Sequence, residues 1–221
     1  MTVLIVIAFF ALFILADYAV SRAREASQAA VAPNAPEATP EPVWVAGYQL
    51  PEALHYHRGH SWVRPLDGTS VLVGLDDFAR RLTGTAREVR LPALGDWLLQ
   101  GGPGFGVRVE DRAAEFVSPV EGEVTAVNSE LRANADLATS DPYGRGWVMK
   151  VRAPHLAANL RNLLSGRLAR RWTEDAREAL DLRLMALSGS VLQDGGEPVA
   201  DFARHLPPED WKRLVHEFLL T

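Results

Sequence analysis

From Val45 to Ala153 the chain is a succession of short β-type runs cut by turn signals, and that rhythm restricts it to a small barrel or sandwich. Trp62-Val63-Arg64-Pro65 and Ser70-Val71-Leu72-Val73-Gly74 flank Leu66-Asp67-Gly68-Thr69, which reads as a hairpin. Asp76 to Leu82 reads as a short helix, capped by Asp76 or Asp77 and stopped by Gly84. Further strands are expected at Glu88–Pro92, toward Leu99 after the turn at Leu94-Gly95, at Phe105–Glu110, at Glu115–Val120 and at Gly122–Asn128. Gly122 and Gly95 suit tight turns, and Pro119 opens a strand after a bend.

On either side the pattern changes. Thr2 to Ser21 is apolar apart from Asp17, and twenty helical residues span about 30 Å, the thickness of a bilayer's hydrocarbon core. Residues 1–22 are therefore expected to be a single transmembrane helix. Arg22 and Arg24 follow it, which predicts a cytoplasmic body. The positive charge that a secretory signal places before its apolar run is missing. Residues 23–44 are rich in alanine and proline and read as an extended linker. Residues 154–221 read as a helical extension. Leu156, Leu160, Leu163, Leu164 and Leu168 recur at helical spacing, and a second run extends from Trp172 to Leu187. Pro207-Pro208-Glu209-Asp210 starts a last helix carrying Trp211, Leu214, Val215, Phe218 and Leu219. Such a stripe is expected to pack on its own domain, the alternative being a docking face for a partner. Arg167, Arg170 and Arg171 form a basic patch that suits either anionic headgroups or a solvated helix face.

Composition removes several kinds of chemistry. A net charge of −5 argues against a nucleic-acid partner, and the absence of cysteine rules out disulfides and thiol catalysis. His55, His57 and His60 are closely spaced and are the candidates for a metal site, but no further ligand accompanies them. Gly101-Gly102-Pro103-Gly104-Phe105-Gly106 lacks the lysine and hydroxyl residue of a phosphate loop and reads as a flexible turn. Ser188-Gly189-Ser190 has no triad to serve it. No nucleophile, base and oxyanion site assemble, so the chain is not expected to be an enzyme.

Several blocks carry a family resemblance: His60-Ser61-Trp62-Val63, Val73-Gly74-Leu75-Asp76-Asp77-Phe78-Ala79, Leu91-Pro92-Ala93-Leu94-Gly95-Asp96, Ser118-Pro119-Val120-Glu121-Gly122-Glu123-Val124, Asn128, and Ser140-Asp141-Pro142-Tyr143-Gly144-Arg145-Gly146-Trp147. In this order they resemble the glycine cleavage system H proteins over about half the chain. The resemblance implies a lipoyl-domain-like β barrel-sandwich with a lipoyl-bearing lysine on an exposed hairpin. Here the hairpin reads Glu110-Asp111-Arg112-Ala113-Ala114, shortened by a residue, and Arg112 or Asp111 stands where the lysine belongs. Neither accepts lipoate, because amide formation needs an amine that can lose its proton. The chain's two lysines, Lys150 and Lys212, lie outside the hairpin. The expectation is a membrane-anchored accessory subunit without cofactor, docked on the subunits of an integral membrane complex of an electron-transfer or photosynthetic kind. The alternative is a lipoyl-linked carrier, or a decoy or regulator, in one-carbon or sulfur metabolism.

Overall fold

The computed structural model describes residues 43–188 and 206–220. The expected transmembrane helix, residues 1–22, and all but the end of the expected linker lie outside the described residues. Trp44, assigned to that linker, instead opens a strand, β1 (Trp44–Val45), which pairs with β2 (Tyr48–Gln49).

The expected hairpin forms from β4 (Ser61–Pro65) and β5 (Ser70–Leu75). Asp67 closes its turn by accepting hydrogen bonds from the backbone N–H groups of Thr69 (2.8 Å) and Ser70 (2.6 Å). Antiparallel pairing then builds a six-stranded sheet in the order β3 (His55–Tyr56), β4, β5, β11 (Met149–Arg152), β10 (Gly122–Val127) and β7 (Trp97–Leu98). A second sheet joins β6 (Glu88–Arg90), β8 (Pro103–Val109) and β9 (Arg112–Val117). Alternation along the strands decides what each face buries. Val63, Val71, Val73 and Leu75 face the space between the sheets, where they meet Phe105, Val107, Phe116 and Val151. The Phe105 and Phe116 rings stack at 4.8 Å. Trp62 and Leu72 turn the other way, into a second cluster with Tyr56, Tyr143 and Trp147.

The short helix α1 (Asp77–Thr83) starts at Asp76, whose carboxylate accepts the Ala79 N–H at 2.8 Å, and ends at Gly84 with φ 94°. Asp77 is thus inside the helix rather than its cap. Its buried carboxylate receives Arg80, Arg81 and the Gln49 N–H. The Ser140–Trp147 block proves to be a brace. The Tyr143 hydroxyl accepts from Asp77 N and donates to Gln49 O, while the Asn128 amide donates to the carbonyls of Arg145 and Trp147.

A short helix, α2 (Leu137–Ser140), precedes that brace. The helical extension then forms α3 (Leu156–Arg161), α4 (Gly166–Ser188) and α5 (Pro208–Leu219). The expected first helix breaks before Gly166, because Leu164 leaves it to exchange backbone hydrogen bonds with Tyr56 at 2.8 Å. Arg170 pairs with Glu52, and Arg171 with Glu174 and Asp175, so two of the three arginines of the basic patch are held in ion pairs. Helix α5 folds onto the β domain, burying Trp211, Leu214, Val215, Phe218 and Leu219 in the main core. Its end comes close to Gly59, where an added Cβ would lie 2.7 Å from Leu219 O.

The expected single-pass membrane placement is corrected. Among the described residues no helix is long and apolar enough to cross a membrane. The longest, α4, has 23 residues and is amphipathic, with arginines and carboxylates on its outer face.

Candidate functional site

The site to examine is the β8–β9 hairpin, where a carrier domain would present its arm. Val109 pairs with Arg112, leaving Glu110-Asp111 as a two-residue turn. Glu110 adopts φ 57°, a left-handed conformation that tight hairpin turns demand and that glycine or asparagine adopts more easily. This turn places the two candidate residues very differently. The Asp111 side chain stands at the tip, 85% exposed, whereas that of Arg112 is 18% exposed and belongs to the strand.

Arg112 is tied down. Its Nη2 donates to Leu206 O at 3.0 Å, and its guanidinium carbon lies 5.6 Å from the centroid of the Trp211 ring. A planar cation stacked on an indole face and hydrogen-bonded to a carbonyl uses both features that separate arginine from lysine. Trp211 is 3% exposed, so the contact sits at the margin of the core rather than in open solvent. Around it α5 packs along β9, and Phe218 reaches the Phe78 ring of α1 at 5.3 Å. The outer face of the hairpin sheet is charged, with Arg90 paired to Glu115 and Arg108 to Glu88.

The two lysines are elsewhere. Lys150 lies within β11 between Leu72 of β5 and Ala126 of β10. Lys212 follows Trp211 on α5 and is exposed. A lipoyl arm needs an amine at the hairpin tip, and the residues present there, a carboxylate and a docked guanidinium, do not fit it.

The three histidines do not converge. His60, at φ 62°, is buried with Nδ1 2.8 Å from the Asp76 carboxylate, and its ring lies between Phe78 at 4.1 Å and Trp172 at 4.5 Å. It joins the cap of α1 to helix α4. His57 accepts the Gly59 N–H at 3.0 Å, and burial, with the neighbouring His60 and Arg58, pushes its pKa below the usual histidine value. His55 on β3 is likewise lowered by burial. Among the described residues no group of three potential ligands could hold a metal ion. The glycine-rich stretch is a turn only at Gly101-Gly102, where the Gly102 N–H donates to Leu99 O at 3.0 Å. Pro103 to Gly106 already belong to β8, and Gly104 lies so close to β9 that an added Cβ would stand 2.9 Å from Ser118 N.

Residues 54–176, spanning the β domain and the first part of α4, match the Glycine cleavage H-protein family. The chain belongs to this family. Its H-protein region is 38% identical to the glycine cleavage system H protein of Mycobacterium avium over 109 residues, which is 49% of this chain and 83% of the relative. The H protein of Carboxydothermus hydrogenoformans is 38% identical over 117 residues, covering 52% of this chain and 88% of the relative. A crystal structure of a glycine cleavage system H protein from Mycobacterium marinum shares the fold, with a TM-score of 0.50 at 24% identity, over 57% of this chain and 98% of that one. Helix α5 lies beyond the matched residues, so the element that holds Arg112 is an addition to the H-protein region.

Sequence reasoning found Arg112 and Asp111 but missed Leu206 and Trp211. The helical spacing marks Trp211 as a core residue without indicating which strand it covers. No local pattern pairs a residue with a carbonyl 94 positions away.

Proposed function

We propose that this chain is a non-lipoylated H-protein-like subunit that works by docking within a larger protein assembly, not by carrying a group. The single observation behind this reading is the hairpin. Its tip presents Asp111, and Arg112 is drawn under helix α5. An arm carrier must swing a prosthetic group from an exposed amine. This domain instead turns its one plausible substitute inward and uses it to fasten an added helix. Retention of the barrel with loss of the arm favours a role in which shape and surface matter.

Intact-mass measurement of the protein isolated from its native host tests the proposal. The expected mass is that of the chain without a lipoyl addition. A lipoyl group on Lys150 or Lys212 would restore the carrier reading and overturn this one.

A further inference from the structure

Strand β7 is the end strand of the six-stranded sheet and pairs only with β10 among the described residues. Asp96 O accepts the Val124 N–H at 2.9 Å, so Trp97, one residue further on, turns its own N–H and C=O away from β10. Leu98 points into the core at 7% exposure. Its neighbours Trp97 and Leu99 point outward, 54% and 62% exposed, and Leu94 in the preceding turn is 42% exposed. The edge strand is short, two residues, but Trp97-Leu98-Leu99 carries none of the lysine, proline or bulge that also guard such edges.

The border of this apolar edge is acidic. Glu123 sits in register with Trp97, and Glu121 lies beside the Leu99 end of the strand. Arg152 neutralises Glu123. Asp96 uses its carboxylate to accept the Ala93 N–H, and among the described residues neither it nor Glu121 pairs with a cation. An extended segment lying along β7 would therefore find backbone groups to pair with, two large apolar side chains to cover and uncompensated negative charge beside them.

We propose that the β7 edge is a docking site for an extended segment of a partner protein that presents apolar and basic side chains together on its outward face, added to the sheet beside Trp97. This rests on the docking reading above and names the surface that performs it.

The test uses the full chain and two synthetic octapeptides with threonine at every second position, the remaining positions alternating lysine with valine in one and glutamate with valine in its twin. The variant is Trp97→Thr combined with Leu99→Thr, at two exposed positions, with its thermal melt checked against the parent protein. The lysine peptide is expected to slow hydrogen exchange of the Trp97 amide and to bind at least tenfold more tightly than the glutamate peptide. The double variant should lose at least tenfold in affinity with its melt unchanged. Equal binding of the two peptides, undiminished binding to the variant, or no protection at Trp97 at millimolar peptide would overturn the proposal. A dimer that the variant dissolves would also overturn it, by making a second copy the occupant. Failure here with an unmodified native mass removes the β7 site and leaves the docking reading. A lipoylated native protein that still binds the lysine peptide at β7 does the opposite.

Discussion

Replacing Arg112 by alanine removes two contributions that the structure separates. The hydrogen bond to Leu206 O is charge-assisted and partly shielded, and bonds of this kind contribute about 1.5–3 kcal/mol. The stack on Trp211 adds about 0.5–1 kcal/mol at an exposed site and more where water is excluded. With the side chain 18% exposed, some solvent compensates the lost bond, so the low end of each range applies. Arg112→Ala should therefore cost about 2 kcal/mol, lowering Tm by about 4–8 °C for a domain of this size. Arg112→Lys keeps the charge and loses the planar stack, so about 1 kcal/mol should be lost. The assay is urea unfolding followed by tryptophan fluorescence, with a double-mutant cycle against Trp211→Leu. The cycle should return a coupling of at least about 0.5 kcal/mol, the level expected of residues in contact. If Arg112→Ala stays within about 0.5 kcal/mol of the parent, as surface substitutions usually do, the hairpin is not fastened by Arg112 and the reasoning fails.

Two other perturbations follow from the geometry. Gly59→Ala brings a methyl group to 2.7 Å from Leu219 O and 2.9 Å from a Val117 methyl, so unfolding should show a loss of about 1–3 kcal/mol, the usual range for overpacking. His57 has its folded-state pKa pushed below the ordinary histidine value by burial. Its neutral form is therefore favoured by folding, and that stability is complete above the ordinary value and lost as pH falls through the folded one. An NMR titration should place the His57 midpoint below 6.5, and a midpoint above it would contradict the burial argument.

Elements fixed by neighbouring residues were legible in the sequence. The β4–β5 hairpin, the α1 helix with its glycine stop and the apolar stripe of α5 all appear where turn chemistry and periodicity put them. The family blocks located the hairpin. Its boundaries were harder, because Glu110 takes a left-handed conformation that its residue type does not advertise, so β9 begins at Arg112 instead of Glu115. The β1–β2 ribbon was not foreseen, since two-residue strands leave almost no pattern. The basic patch on α4 invited a lipid reading that the carboxylates of Glu52, Glu174 and Asp175 answer. Of the candidate site, the identity of Arg112 was plain, while its direction depended on a helix far along the chain.

Helix α5 separates two definitions of this domain. Similarity delimits residues 54–176, yet the interior bounded by those residues is completed by Trp211, Leu214 and Leu219. The cooperative folding unit is thus longer than the recognisable one. Closing it requires a loop spanning much of the sequence, and contacts of that kind form late because their entropy must be met before they stabilise anything. A chain lacking α5 would retain every residue that marks its ancestry and still present an open apolar face, the condition under which β-rich proteins associate with one another before they finish folding.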